Sequence, residues 1–86
     1  MMDSEFLIIS KEAIKQLGVN GAVVLGFFMD RWQKVGQVGF FYSMQDLAKD
    51  TGFSDFECKN ITKELLDKGF LLRRNRGFYA INRNLI

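Results

Sequence analysis

Residues 45–65, QDLAKDTGFSDFECKNITKEL, leave little freedom in how they fold. Two helices that cross through a three-residue turn need a small side chain where the second approaches the first. Ala48 supplies it. Four positions later the chain needs a residue free to take positive φ, and Gly52 stands there. Apolar anchors follow at the required offsets: Leu47, Phe53, Cys58 and Ile61, with Leu65 continuing the stripe. The turn itself is only Gly52-Phe53-Ser54, too short for a flexible loop.

The helix ends carry their own signals. Ser43 with Asp46 three residues on is an acidic variant of the capping box and opens a helix over residues 44–51. Ser54 with Glu57 is a full capping box for the next helix, which Gly69 ends after Lys68. Upstream, Ser10 is an N-cap for residues 11–17, stopped by Gly18, and Asn20 is placed to cap a longer helix over residues 21–34. Val24, Phe27, Phe28 and Trp32 recur there at helical spacing, and apolar residues cover most of its girth. That helix is expected at the centre of the bundle.

Residues 38–42 are rich in β-formers and read as a first strand, after a turn bracketed by Gly36 and Gly39. Residues 70–74 and 78–82 are β-rich runs split by Asn75-Arg76-Gly77, a hairpin in which Gly77 supplies the positive φ. The N-terminal run FLII, residues 6–9, reads as a short strand or an extended arm. The expected fold class is therefore mainly α (α+β), a winged helix-turn-helix of order helix, helix, strand, helix, helix, β-hairpin wing. With 86 residues it forms a single domain over residues 1–86, with residues 1–9 as the arm.

Composition narrows the function. Apolar residues make up 48% of the chain, enough for a core, and nine are phenylalanine. There is no histidine and one cysteine, Cys58, so zinc sites and His-dependent catalysis are excluded and no internal disulfide can form. Cys58 reads as a small buried hydrophobe. The longest apolar run, residues 23–29, is too short to span a bilayer, and the N-terminus carries acids where a signal peptide needs basic residues. A soluble, cytoplasmic protein is expected, with no membrane partner and no metal. No nucleophile has a base at a motif spacing and no Gly-rich phosphate loop is present, so no catalytic residue is assigned and no enzyme is expected.

Charge points to a partner through its distribution, the net charge being only +2. After Asp67 there are no acids, while Arg73, Arg74, Arg76 and Arg83 add four positive charges. A basic tip on a near-neutral body is the footprint of a phosphate contact. A solvated hairpin surface, or a contact to acidic groups on a protein, is the other reading. The residues facing outward on the helix after Ser54 include Asp55, Phe56, Lys59, Asn60 and Lys63. Asn60 can bond an adenine edge, and Lys59 or Lys63 guanine or phosphate. Asp55 and Glu57 sit at a helix N-terminus, where they complement the dipole. The candidate DNA-binding residues are thus Ser54, Phe56, Lys59, Asn60 and Lys63 on the helix, with Arg73, Arg74, Asn75 and Arg76 on the hairpin, where Arg74 and Arg76 flank the turn. Phe56, Leu66 and Leu72 fit poorly with the buried stripe; either the arm covers them or they mark a contact surface, most simply a two-fold dimer.

Four stretches carry a family resemblance: FLIISK (6–11), GAVVLGFFMDR (21–31), GFFYSMQDLAKDTGFS (39–54) and KELLDKGFLLRRNRG (63–77). With them the chain resembles the N-terminal winged-helix domain of plasmid replication initiators of the RepA type and related phage replisome organisers. It departs in having Ser10 where proline is common and no lysine early in residues 21–25, and it ends at Ile86, short of the region through which such initiators recruit other replication proteins. The resemblance implies origin-type double-stranded DNA binding at Lys59, Asn60, Lys63, Arg74 and Arg76, in replication initiation, its regulation or transcription control of a bacterial mobile element. Expected partners are double-stranded DNA, a second copy of the chain in a homodimer, and replication proteins; no cofactor is expected. The alternative is a winged-helix protein-protein interaction or oligomerisation module without direct DNA binding, motivated by Asp55, Glu57 and the surplus aromatics.

Overall fold

The computed structural model describes residues 6–83. Its first element, α1 (Lys11–Lys34), is opened by the Ser10 hydroxyl, which accepts from the Ala13 N–H at 3.2 Å. Gly18 interrupts it with non-helical φ 80° and ψ 172°. The helical path therefore breaks where glycine permits a conformation that costs other residues. After the break the chain folds back so closely that a Cβ on Gly21 would lie 2.8 Å from Leu17 Cβ. Asn20 does not cap the second part. Its Nδ2 donates instead to Glu57 Oε2 at 2.9 Å, a contact 37 residues away.

The remaining elements are β1 (Phe40–Phe41), α2 (Met44–Thr51), α3 (Asp55–Asp67), β2 (Leu71–Asn75) and β3 (Phe78–Ile81). The strands form an antiparallel sheet of order β1-β3-β2. The fold is a small α+β body of helices around a three-stranded sheet.

The strand expected over residues 38–42 is cut to two residues. Gly36 (φ 84°) and Gln37 (φ 66°) both take left-handed backbone and spend the preceding residues on a turn. Beyond β1, Tyr42 still donates its N–H to the Gly77 carbonyl at 2.9 Å. Residues 6–10 form no strand. They run as an arm against α1 at Gly26, where a Cβ would meet Leu7 Cδ2 at 3.3 Å and the Ile8 carbonyl at 3.4 Å. Two of the three apolar residues that the stripe left over stay exposed. Phe56 is 74% exposed and Leu72 39%, whereas Leu66 packs partly buried on the core.

Phe28 is the hub that joins α1 to the sheet. Its ring is fully buried and lies edge-on to Tyr42 (5.2 Å, 68°) and Tyr79 (5.3 Å, 73°), with Phe40 at 6.0 Å. Each aromatic pair adds about 0.5–1.5 kcal/mol to the area it buries. Val24, Leu25 and Trp32 continue this face of α1. Leu47, Cys58 and Leu65 fill the space beneath α2 and α3 at zero exposure, with Ala48, Phe53 and Ile61 packed alongside.

Candidate nucleic-acid interface

The turn between α2 and α3 is built by two devices. Gly52 sits in the left-handed region (φ 82°, ψ 2°) and returns its N–H to the Ala48 carbonyl at 2.8 Å. Thr51 completes the turn: its hydroxyl donates to the Leu47 carbonyl at 2.8 Å and accepts from the Phe53 N–H at 3.1 Å. The sequence reading missed Thr51, although a threonine before Gly is a recognisable local turn former. Ser54 then accepts from the Glu57 N–H at 3.1 Å and starts α3. The capping box is half made, because the Glu57 carboxylate is held by Asn20. Ser43 caps α2 through the Asp46 N–H at 3.0 Å.

A second set of contacts fixes α2 against α1. Arg31 lies over the Tyr42 ring at 3.8 Å, donates to the Phe41 carbonyl at 3.1 Å and reaches Asp50 at 3.8 Å. The Tyr42 hydroxyl donates to the Asp50 carboxylate. Burial, then the bond to Asp50, pushes the Tyr42 phenol well above its ordinary value. The exposed Arg31–Asp50 pair contributes under about 1 kcal/mol, while burying the Tyr42 ring contributes about 1.5–3 kcal/mol. Packing therefore sets this junction, and the charges orient it.

With both junctions fixed, α3 and the hairpin leave an open cleft of about 1000 Å³ between them. Lys59, Lys63 and Leu66 line it from α3, and Arg73, Arg76 and Tyr79 from the hairpin. Burial raises the Tyr79 phenol, against the opposing pull of the neighbouring Arg73. Lys63 pairs with Asp67 at 3.1 Å on the exposed face of α3. Lys59, Arg73 and Arg76 have no ion-pair partner among the described residues.

Arg74 is elsewhere. The β2–β3 register runs Arg73↔Tyr79 and then Asn75↔Phe78, so Arg74 is the extra residue of a β-bulge. It lines the other side of the sheet with Leu72, Trp32 and Arg83. The pair expected to flank the turn together, Arg74 and Arg76, is therefore split. Arg73 joins Arg76 in the cleft, and alternation along a strand places the two neighbours on opposite faces. Asn75 is exposed at the end of β2.

The outward residues of α3 stand as the sequence indicates: Ser54, Phe56, Lys59, Asn60 and Lys63 are all exposed. Ser54, Phe56 and Asn60 lie outside the cleft, toward the first turns of the helix. Asp55 borders a shallow depression with Gln45 and Lys49 of α2, and Glu57 is turned to α1 by Asn20. Neither acid lines the cleft, whose acids are Asp46 and Asp67. Cys58 is fully buried, and burial raises its thiol pKa. The described residues hold no group of three His, Cys, Asp or Glu side chains suited to a metal ion, and no helix among them is long and apolar enough to cross a membrane. Comparisons with protein-family models, with curated proteins and with solved structures return no match to this chain.

Proposed function

We propose that this chain is a winged helix-turn-helix that binds double-stranded DNA, with α3 entering a groove and the β2–β3 hairpin lying along the backbone as the wing. The observation that carries this is the cleft. Four cationic side chains from two elements, Lys59, Lys63, Arg73 and Arg76, outnumber the two acids, Asp46 and Asp67, on one concave surface, and three of the four have no ion-pair partner among the described residues. A DNA strand offers phosphates along such a track at regular intervals, and counterion release supplies the affinity. The resemblance to RepA-type initiators extends the reading to sequence-specific binding in a bacterial mobile element, in replication initiation or its control. Replication proteins remain a further class of partner under that resemblance.

A homodimer belongs to the same reading. Leu72 and Val38 are exposed on the sheet side away from the cleft, where pairing would cover them and leave the basic surface free. Sedimentation velocity of the free chain gives a dimer if so, and a monomer at every concentration otherwise.

Fluorescence anisotropy on a labelled pool of random duplexes tests the main claim. Binding at low salt that weakens steeply toward physiological salt is the expected result. Absence of binding at low salt up to about 100 μM chain, the weak limit of non-specific association, would refute it. That outcome would favour the one observation that fits a protein-docking module better, the large exposed ring of Phe56.

A further inference from the structure

Phe56 and Asn60 stand four residues apart on one exposed face of α3, with Lys63 at the next turn. Phe56 is 74% exposed, among the largest apolar exposures of the described chain, and no described side chain pairs its ring. The Asn60 side-chain amide makes no hydrogen bond within the described residues. Of the two acids of this helix end, Glu57 is bonded to Asn20 and Asp55 borders a depression beside α2, outside the cleft. What remains forward is one ring and one amide, beside the basic cleft.

We infer that this pair is the base-reading element of the chain and that it selects an A·T-containing step in the major groove. The inference rests on the DNA-binding reading above and names which bases that surface prefers. An asparagine amide matches the N7 acceptor and N6 donor of adenine, and an apolar ring packs on the C5-methyl of thymine. The ring has no donor for phosphate; an amide can donate to a phosphate oxygen, but only adenine engages its oxygen and its nitrogen together. Four residues of helix rise by about 6 Å, close to two base-pair steps of B-DNA at about 3.4 Å each. The recognised thymine and adenine therefore lie within two base pairs of each other. Lys59 and Lys63, on the cleft side of the stripe, hold the helix in register by taking phosphate.

The test uses the full chain and a site selected from a random duplex pool. Each thymine of that site is replaced in turn by deoxyuridine, which removes only the methyl, and each adenine by 7-deazaadenine, which removes only N7. One deoxyuridine should weaken the wild-type chain several-fold and leave Phe56→Ala unaffected. One 7-deazaadenine within two base pairs should weaken wild type about ten-fold and leave Asn60→Ala unaffected. Both variants should keep the wild-type salt slope, since neither side chain carries charge. Salt-dependent binding in which wild type and variants respond alike to every replacement overturns the base-reading assignment while leaving DNA binding intact. So does a selected site with no A·T pair whose replacement matters. Loss of all binding by the wild-type chain, at any salt, overturns both readings together.

Discussion

Neutralising Arg73 and Arg76 separates a phosphate track from a merely basic surface. Lys59, Lys63, Arg73 and Arg76 line the cleft from α3 and the hairpin, with Asp46 and Asp67 as its acids. Arg31 also borders it, but its guanidinium is spent on the Tyr42 ring, the Phe41 carbonyl and Asp50. Lys63 must exchange Asp67 for phosphate, and both members of that exposed pair are free to do so at little cost. Four phosphate contacts give a slope of log K against log salt of about −3.6, so raising salt from about 50 to about 200 mM should weaken binding about 150-fold. The double variant Arg73→Gln/Arg76→Gln keeps two contacts, with a slope of about −1.8 and a loss of about 12-fold over the same range. Arg74→Gln is the control, because Arg74 lies across the sheet from the cleft. It should leave the slope close to wild type. Anisotropy titrations at four or five salt concentrations read all three chains. The reasoning fails if Arg74→Gln flattens the slope as much as the Arg73 and Arg76 changes do, or if the double variant keeps the wild-type slope.

Stability offers three further checks. Gly52→Ala meets no atom within 4 Å of the new Cβ, so its cost is backbone strain alone; that is about 1–2 kcal/mol, with each kcal/mol read as a fall of about 4–8 °C in Tm, and Gly52→Asn should lose less. Tyr42→Phe removes the hydroxyl bond to Asp50 and should cost about 1 kcal/mol in urea unfolding at neutral pH. Because the folded Tyr42 pKa is raised, its contribution is fully present below the unfolded value of about 10 and declines as pH climbs past it. Wild type should therefore lose stability between pH 9 and pH 11 more steeply than Tyr42→Phe, and equal slopes would contradict the buried phenol. The Cys58 thiol, fully buried and raised in pKa, should react with a thiol reagent only at the rate of unfolding, and immediate reaction in native buffer would place it at the surface.

Local physics was legible in the chain and long-range placement was not. Ser10, Ser43 and Ser54 each cap the helix that follows, because a cap bonds to an N–H only three residues away. Gly52 could be read for the same reason: its left-handed backbone closes a turn onto Ala48, four residues back. Asn20 and Glu57, each readable as a local cap partner, instead found each other across 37 residues, and spacing carries no trace of that contact. The first strand was overestimated because β-propensity at Val38 competes with a reversal that the left-handed Gln37 imposes just before it. For the candidate site, the exposed face of α3 followed from helical periodicity. The hairpin face did not, since a single bulge at Arg74 decides which arginines share the cleft, and strand alternation counted from the turn places them wrongly.

Backbone amide shifts of the isotopically labelled chain, followed while duplex DNA is added, locate the contact surface residue by residue. If α3 and the hairpin face DNA, the changes concentrate at Phe56, Lys59, Asn60, Lys63, Arg73 and Arg76, and spare Lys11, Lys15 and Lys34 on α1. Changes centred on α1 or the arm, with α3 and the hairpin undisturbed, would show that the cleft is not where DNA lies.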